Sequence, residues 1–270
     1  MHTITGKTRL YAIVADPIHQ VKTPQSINRL FEEQGIDGVM VPLHVRPEQL
    51  SAAIAGLKAI ENLSGFIVTV PHKTAIVSLC DEVTAAVTQI GAANAVRREA
   101  DGRLVADILD GKGFVAGLLC SGIDVRARSV YLAGAGGAAN AIAFALAEAG
   151  ISRLTVANRT KEKVGDLIRR LSLAYPSLPV KIGTADPAQH ELVVNATSLG
   201  LRADDPLPFA VERLSASQTV CEIIMDPAET PILTAAKAKG CAVQYGAPML
   251  AGQIDLMAAF MGAPGKGSPL

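Results

Sequence analysis

The segment spanning residues 130–159 most strongly limits what this chain can fold into. An apolar run, V-Y-L-A at 130–133, is followed directly by G-A-G-G-A-A at 134–139. This order matches the G-x-G-x-x-G/A turn that joins a strand to a helix in a dinucleotide-binding sheet. The mostly apolar residues 138–150 predict the helix, and L-T-V-A at 154–157 predicts the next strand. The pattern therefore predicts a parallel β-α-β unit that binds the pyrophosphate of a dinucleotide.

The small residues of this turn each have a physical role. Gly134 lets the chain turn, Gly136 admits the pyrophosphate, and Ala139 lets the helix lie close to the strand. The unpaired N–H groups and positive end of the helix would then face the phosphates. A tight turn without a ligand is the alternative. The residues expected to contact the cofactor here are Gly134, Ala135, Gly136, Gly137 and Ala138.

Length and charge narrow the class of protein. The chain has 270 residues, which favours two domains. Lysine plus arginine equals aspartate plus glutamate at 25 each, so no overall basic field would attract nucleic acid or acidic lipid. No apolar run approaches the ~20 residues needed to cross a bilayer, and the first residues do not resemble a secretory signal. We expect a cytoplasmic monomer or homodimer that binds a small molecule.

The cysteines indicate neither a metal site nor a disulfide framework. Cys80, Cys120, Cys221 and Cys241 are widely scattered and none forms a C-x-x-C pair. We expect all of them to be buried as small apolar residues, and we expect no bound metal.

The rest of the chain also alternates strand-like and helix-like segments. Strands are predicted near 10–15, 39–44 and 65–68, with a helix after each, and parallel sheets are expected from this alternation. Thr23 is predicted as the N-cap of the first helix, with Pro24 in its first turn, and the second helix is predicted to begin at Pro47. Two short strands, 95–98 and 104–107, flank a D-G turn.

These segments predict a two-domain α/β fold. Residues 1–110 with 246–270 would form a substrate-binding α/β domain, and residues 111–245 a Rossmann-type, doubly wound parallel sheet. The helix predicted over 248–261 would return to the first domain. Residues 263–270 resemble a loose tail.

The end of the second strand of the nucleotide-binding unit bears on the choice of cofactor. An acid there reads the ribose of NAD, whereas a nearby arginine accommodates the 2′-phosphate of NADP. The sequence has N-R-T-K at 158–161, and Arg159, Lys161 and Lys163 could meet a phosphate. Glu162 lies among them, and an ordinary solvated helical turn is the alternative. Arg159 favours NADP, and NAD remains open.

Two titratable residues stand where parallel strands end. Lys73 follows the strand near 65–68, where a neighbouring charge or desolvation could tune it for proton transfer. Asp110 opens the segment D-G-K-G. Taken alone, each residue has a structural alternative: a solvated lysine at a helix start and a helix N-cap. His19 and His72 lack the partner spacing of a metal site or a catalytic triad, and we interpret both as structural.

Together, these segments resemble the shikimate/quinate dehydrogenase family over nearly the whole chain. Residues 15–24, A-D-P-I-H-Q-V-K-T-P, resemble its substrate-carboxylate segment, and V-T-V-P-H-K at 68–73 resembles its N-V-T-x-P-x-K motif. I-G-A-A-N at 90–94 and D-I-L-D-G at 107–111 are similar to I-G-A-x-N and D-N-T-D-G. The resemblance implies that Lys73 is the catalytic lysine and Asp110 its carboxylate partner.

The second half of the chain continues the resemblance. N-R-T at 158–160 resembles the segment that reads NADP, and N-A-T-S-L-G at 195–200 resembles a stretch beside the cofactor. D-P-A-E-T-P at 226–231 and Y-G-A-P-M-L-A-G-Q at 245–253 resemble two later motifs. The substrate-binding residues implied are Val21, Thr23, Thr69, Asn94 and Gln253. The further cofactor-binding residues implied are Asn158, Arg159, Thr160, Lys163, Asn195, Thr197, Met225 and Gly246.

Departures from the family pattern lie mainly around the substrate. Val21 and Thr23 replace two serines that bind the substrate carboxylate, and Ile67 replaces the asparagine of N-V-T. Ile108 and Leu109 replace the asparagine and threonine of D-N-T-D. Because each lost hydrogen bond to a charged group is worth ~1.5 to 3 kcal/mol, these changes predict weaker binding of shikimate itself.

The leading hypothesis is an NAD(P)-dependent oxidoreductase that interconverts a ring alcohol and a ketone in a cyclic polyol acid. The substrate would be shikimate or a relative such as quinate or aminoshikimate. A second hypothesis is a non-catalytic dinucleotide-binding sensor or regulatory protein on the same fold. A third is dehydrogenation of a folate-like or amino acid-derived substrate.

Overall fold

The computed structural model describes residues 3–202 and 204–263. The chain divides into two compact units, residues 1–109 with 253–270 and residues 110–252. It passes from one unit to the other at residue 110 and again within its last helix. The predicted loose tail beyond residue 263 lies outside the described residues.

The first unit contains a mixed sheet with helices between its strands. Its strands are β1 (Arg9–Ala15), β2 (Gly38–His44), β3 (Leu63–Val68), β4 (Glu82–Val83), β5 (Ala95–Arg98) and β6 (Leu104–Asp107). Its helices are α1 (Thr23–Gln34), α2 (Leu50–Lys58) and α3 (Ala85–Ile90). The described strands follow the order β2-β1-β3-β5-β6-β4.

The expectation of parallel sheets is only partly correct for this unit. Strand β1 pairs in parallel with β2 and β3, but β5 is antiparallel to both β3 and β6. The tight turn between β5 and β6 explains why these two strands are antiparallel, because a short connection can join only antiparallel neighbours.

Burial of apolar side chains explains why β1 and α1 form together. Tyr11 and the residues that follow it in β1 are at most 1% exposed, and Tyr11 packs its ring 4.8 Å from the ring of Phe31 in α1. The prediction that Thr23 is the N-cap of α1 is wrong. The helix already begins at Thr23, which is buried, and Lys22 is the N-cap without a side-chain capping bond. Pro24 occupies the first turn, where its missing N–H is tolerated.

The second helix also begins later than predicted. A 3₁₀ turn spans Pro47–Gln49, and α2 follows at Leu50.

The second unit contains a parallel sheet with a doubly wound strand order. Its strands are β7 (Ser129–Ala133), β8 (Arg153–Ala157), β9 (Val180–Ile182), β10 (Leu192–Asn195), β11 (Thr219–Glu222) and β12 (Ala242–Gln244). Its helices are α4 (Asp110–Cys120), α5 (Gly137–Glu148), α6 (Lys161–Ala174) and α7 (Pro231–Ala238). The sequence predicts strands of this unit near 130, 154, 180, 192 and 220–224, and it does not predict β12.

The described strands of this sheet follow the order β12-β11-β10-β7-β8-β9, and every pair is parallel. The chain order therefore reverses between β7 and β10. Ligands of open parallel sheets bind beyond the carboxyl ends of the strands at such a reversal.

The last helix, α8 (Ala247–Phe260), begins in the second unit and ends in the first. Its end packs on the first sheet: the Arg97 guanidinium lies 5.2 Å from the centre of the Phe260 ring. Gly65 in β3 permits this contact, because a Cβ there would lie 2.5 Å from the Val96 carbonyl and 2.9 Å from Cγ of Met261. The predicted return of this helix to the first unit is thereby confirmed.

The prediction that all four cysteines are buried is partly wrong. Cys221 and Cys241 are buried, Cys80 is half-buried, and Cys120 is exposed. Cys120 is the last residue of α4, where the helix faces solvent.

His190 is a buried structural residue of the second unit. Its Nε2 lies 2.8 Å from the Thr155 hydroxyl, and its Nδ1 lies 2.9 Å from the Ala188 carbonyl. This arrangement suits a neutral ring whose Nδ1 donates and whose Nε2 accepts. Burial lowers the pKa of His190 below its ordinary value.

We expect His190 to make the protein less stable in acid. Because its folded pKa is lowered, the unfolded chain binds a proton that the folded chain does not, so stability falls as the pH drops below about 6.5. In urea unfolding at several pH values, the free energy of unfolding should fall more steeply with decreasing pH in the wild type than in His190→Gln. Parallel curves for the two proteins would contradict this expectation.

Candidate active site

The segments after β1 and β3 lie side by side at one edge of the first sheet. The two strands are parallel neighbours, so their carboxyl ends meet there. The Asp16 amide donates to the Val70 carbonyl over 3.1 Å, and the Thr69 amide donates to the Val14 carbonyl over 3.0 Å. Thr69 is thereby fixed next to the loop that leads to α1.

The backbone around Lys73 is held by its neighbours. His72 is 1% exposed, and its Nε2 donates to the Val45 carbonyl over 2.7 Å, which confirms that it is structural. Its amide donates to the Thr69 carbonyl over 2.9 Å. The Lys73 carbonyl accepts from the Ala93 amide over 2.8 Å, and the Lys73 side chain is half-buried.

Asn94 joins this segment to the end of β6. Its carbonyl accepts from the Val68 amide over 2.8 Å, and its own amide donates to Asp107 over 3.0 Å. Its side-chain Oδ1 accepts from the Leu109 amide over 2.7 Å. Asp110 follows Leu109 directly as the first residue of α4 and is 4% exposed.

The predicted substrate residues thus fall into two groups. The segments that carry Thr69, Lys73 and Asn94 are joined through backbone hydrogen bonds. Val21 and Thr23 lie where α1 begins, and Gln253 is 5% exposed within α8. Their contact with a substrate remains a prediction.

Gly134 is required at the turn between β7 and α5. Its φ is +122°, which side chains rarely adopt, and a Cβ there would lie 2.6 Å from the Ala196 carbonyl oxygen. It would also lie 3.3 Å from Cβ of Ala139, the small residue expected to bring the helix close. A glycine here therefore satisfies both the backbone angle and the close packing.

Gly136 differs because the protein leaves space around it. It is exposed and caps α5, and a Cβ there would meet nothing within 4 Å. The first helical bond runs from the Asn140 amide to the Gly136 carbonyl over 2.9 Å. The amides of Gly137 and Ala138 thus precede the helical ladder. This open cradle at a helix N-terminus fits the pyrophosphate of a dinucleotide.

Two residues missed by sequence reasoning fix this turn. The Asn140 side-chain Nδ2 donates to the carbonyls of Gly136 at 2.7 Å and Ala135 at 3.3 Å. Its Oδ1 accepts from Nη2 of Arg170 on α6 over 2.7 Å. An asparagine within an apolar helix was the available signal, since a buried amide needs partners.

The end of β8 carries exposed cations. Asn158 donates through Nδ2 to the Thr160 carbonyl over 3.2 Å, and α6 begins at the next residue. Arg159 and Lys163 are both exposed. Within residues 3–202 and 204–263, neither side chain forms an ion pair, so both charges suit an anion.

The other predicted cofactor residues follow the ends of β10, β11 and β12. Asn195 is fully buried, and its Oδ1 accepts from the Thr197 amide at 3.1 Å and the Thr197 hydroxyl at 2.7 Å. Met225 is 36% exposed. Gly246 packs on the segment before Met225, because a Cβ there would lie 2.3 Å from the Ile224 carbonyl oxygen.

Glu222 at the end of β11 was also missed. It is 1% exposed, and burial raises the pKa of its carboxyl above the ordinary value while its hydrogen bonds oppose that shift. The available signal was an acid inside the apolar run T-V-C-E-I-I at 219–224. Sequence reasoning placed that acid in the middle of a strand, whereas the strand ends at it.

Two family models match the chain. The shikimate dehydrogenase substrate binding domain matches residues 13–96, and shikimate / quinate 5-dehydrogenase matches residues 120–199. The chain belongs to the shikimate/quinate dehydrogenase family. The predicted family and two-domain α/β fold are thereby confirmed.

Individual relatives agree with this assignment. The shikimate dehydrogenase (NADP(+)) of Lysinibacillus sphaericus is 38% identical over 245 residues, covering 90% of this chain and 88% of the relative. The structure of shikimate 5-dehydrogenase from Thermus thermophilus with NADP(H) and shikimate is 30% identical, with a TM-score of 0.85 and coverage of 96% and 95%. A 5-ketofructose reductase of Gluconobacter sp. strain CHM43 is 27% identical, with a TM-score of 0.84 and coverage of 95% and 94%.

These relatives confirm the prediction of an NAD(P)-dependent oxidoreductase and disfavour the non-catalytic alternative. Across the described part of the chain, no helix is both long and apolar enough to cross a bilayer.

Proposed function

We propose that this protein interconverts a ring secondary alcohol and its ketone in shikimate or a close relative. The anchored segment around Lys73 carries this proposal, because it presents a half-buried lysine directly beyond a parallel strand. Residues 1–110 with 246–270 would bind the substrate, and residues 111–245 would bind the cofactor. The protein would act as a monomer or homodimer.

The open turn at Gly136 and the exposed Arg159 support binding of a dinucleotide by the second sheet. Gly134, Ala135, Gly137 and Ala138 would complete the pyrophosphate cradle. When bound, the dinucleotide would supply the acceptor for the hydride that leaves the carbinol carbon.

The residues after β3 and β6 would handle the proton. As the carbinol C–H pair of electrons leaves with its hydrogen, the hydroxyl proton would pass to Nζ of Lys73 and the C=O bond would form. Asp110 would hydrogen-bond the same hydroxyl and orient Lys73. Reduction would reverse both transfers. No metal is needed for this chemistry.

The remaining ring hydroxyls would be oriented by Thr69, Asn94 and Gln253. Lys22 or Thr23 would meet the acid group of the substrate, since Val21 offers no hydroxyl. The fold is also that of a protein described as a 5-ketofructose reductase, so a relative without a carboxylate is a second substrate class to test.

Steady-state kinetics test the proposal. Oxidation of shikimate, quinate, aminoshikimate and a neutral cyclic polyol should be measured with NADP+ and with NAD+. We expect turnover of at least one acid, with a high KM for shikimate because Val21 replaces a hydrogen-bond donor. Failure of every substrate, despite measurable cofactor binding, would contradict the proposed activity.

Replacement of Arg159 tests the choice of cofactor. We expect Arg159→Ala to lower kcat/KM with NADP+ by about 10- to 150-fold, the equivalent of one charged hydrogen bond, and to change kcat/KM with NAD+ little. The control is Arg169→Ala, which removes an exposed arginine of α6 that pairs with Asp166. An equal loss with both cofactors would contradict a role in reading the 2′-phosphate.

A further inference from the structure

Glu222 forms the centre of a buried hydrogen-bond network in the second unit. Its Oε2 accepts from Asn195 Nδ2 at 2.9 Å and from the Thr230 hydroxyl at 3.0 Å. Its Oε1 accepts from the amides of Ile223 at 2.8 Å and Ile224 at 3.0 Å. With the longer contact from Asn195 to Oε1 at 3.2 Å, both carboxylate oxygens face only donors.

The network joins three segments that are separate in sequence. Asn195 ends β10, Ile223 and Ile224 follow β11, and Thr230 precedes α7. Gly200, in the loop after β10, packs against the other two segments. Its φ is +114°, and a Cβ there would lie 3.4 Å from Ile224 and 3.5 Å from Thr230. One carboxylate therefore sets the spacing of the loops after β10 and β11.

The orientation of Asn195 is fixed by its other contacts. Its Oδ1 accepts both the amide and the hydroxyl of Thr197, while its Nδ2 donates to the Leu199 carbonyl at 3.0 Å as well as to Glu222. Rotating the amide would break these bonds. Position 222 must therefore supply an acceptor to Asn195, and through Asn195 it determines where Thr197 lies.

Thr197 and Met225 follow β10 and β11, in the half of the doubly wound sheet that does not carry the glycine turn, where the nicotinamide end of a dinucleotide binds. We propose that Glu222 is a positioning residue that holds Thr197 and Met225 in place against that end of the cofactor. This inference rests on the proposed dehydrogenase function. Glu222 is buried and bonds to the loops, so it acts through Asn195 and the backbone of residues 223–224. The pyrophosphate cradle at Gly136 and the backbone around Arg159 have side-chain supports of their own, from Asn140 and Asn158.

The variant Glu222→Gln keeps the size of the side chain but replaces one oxygen with an NH2 group. In one orientation this group faces Asn195 and Thr230, and in the other it faces the amides of Ile223 and Ile224. Either orientation sets donor against donor. Because a displacement of about 1 Å can cost about 10²-fold in rate, we expect kcat/KM with NADP+ to fall about 10²-fold.

Binding of a cofactor fragment separates positioning from general loss of structure. Adenosine 2′,5′-bisphosphate would use the glycine turn and Arg159 but lacks the nicotinamide. We expect its Kd to be unchanged in Glu222→Gln while the Kd for NADP+ rises. An equal rise in Kd for both ligands, or no rise for either, would overturn the proposal.

Matched variants complete the design. Glu191→Gln is the control, because Glu191 also accepts from the backbone and hydroxyl of one residue, Ser129, at the other end of the same sheet. It should leave the Kd of both ligands unchanged.

Thr230→Val is a second variant for the case that Glu222→Gln fails to fold. It removes one donor to Glu222 and should raise the Kd for NADP+ by a few-fold. Wild-type protein that binds neither NADP+ nor NAD+ would overturn the proposed function as well. Wild-type binding without turnover would overturn only the proposed function, leaving the two Kd values to decide the role of Glu222.

Discussion

Lys73→Ala is expected to lower kcat by about 10²- to 10⁴-fold, the usual contribution of a positioned acid or base. The variant removes the group that would take the hydroxyl proton but leaves the backbone bonds from Ala93 to Lys73 and from His72 to Thr69 in place. The Kd for NADP+ should therefore stay near the wild-type value. Single-turnover measurements with shikimate, or with the best acid from the substrate panel, would isolate the chemical step.

The control for this variant is Lys7→Ala, an exposed lysine of the same unit. It should leave kcat unchanged. A kcat for Lys73→Ala close to that of the wild type would show that Lys73 does not take the hydroxyl proton.

Asp110→Asn should lower kcat less than Lys73→Ala does, since an amide can still orient the hydroxyl but cannot balance the charge on the lysine.

Two glycine variants of the β7–α5 turn should separate folding from cofactor binding. In Gly136→Ala, the added methyl meets no protein atom, so the melting temperature should hardly change. The methyl would occupy space that we assign to the pyrophosphate, and we expect the Kd for NADP+ to rise at least about 10²-fold. Isothermal titration and thermal unfolding of the same sample measure both quantities.

In Gly134→Ala, both quantities should change. The backbone angle costs about 1 to 3 kcal/mol for a residue with a Cβ, and the methyl would also collide with the Ala196 carbonyl. We expect the melting temperature to fall by about 5 °C or more together with loss of cofactor binding. Gly165→Ala within α6, where a Cβ meets nothing, is the control. A Gly136→Ala protein that binds NADP+ normally would contradict the placement of the pyrophosphate.

The sequence predicted the second sheet well because its signals are local. An apolar run, a glycine turn and an apolar helical segment each appear within a few residues, and the helix found at Gly137–Glu148 follows from them. The strand β12 was missed because Ala242–Gln244 is too short to show a period. The start of α1 was misplaced by one residue, since Thr23 is used for packing rather than capping.

Pairwise features of the site could not be derived from the sequence. The antiparallel pairing of β3 with β5 depends on how the chain returns across the sheet, and no local pattern encodes that return. Glu222 and Asn195 are 27 positions apart, so their hydrogen bond was not apparent. Arg170 and Asn140 pair across 30 positions in the same way.

The bond between Arg170 and Asn140 limits how cofactor preference could be redesigned. The loop that would read the 2′-phosphate, residues 158–160, leads directly into α6, and Arg170, which secures the glycine turn through Asn140, lies towards the end of that helix. An insertion after Lys161 would rotate Arg170 by about 100° around the helix axis and would release Asn140. Grafting a loop from an NAD-dependent relative should therefore vary only residues before Lys161, and length changes there would leave the pyrophosphate cradle intact.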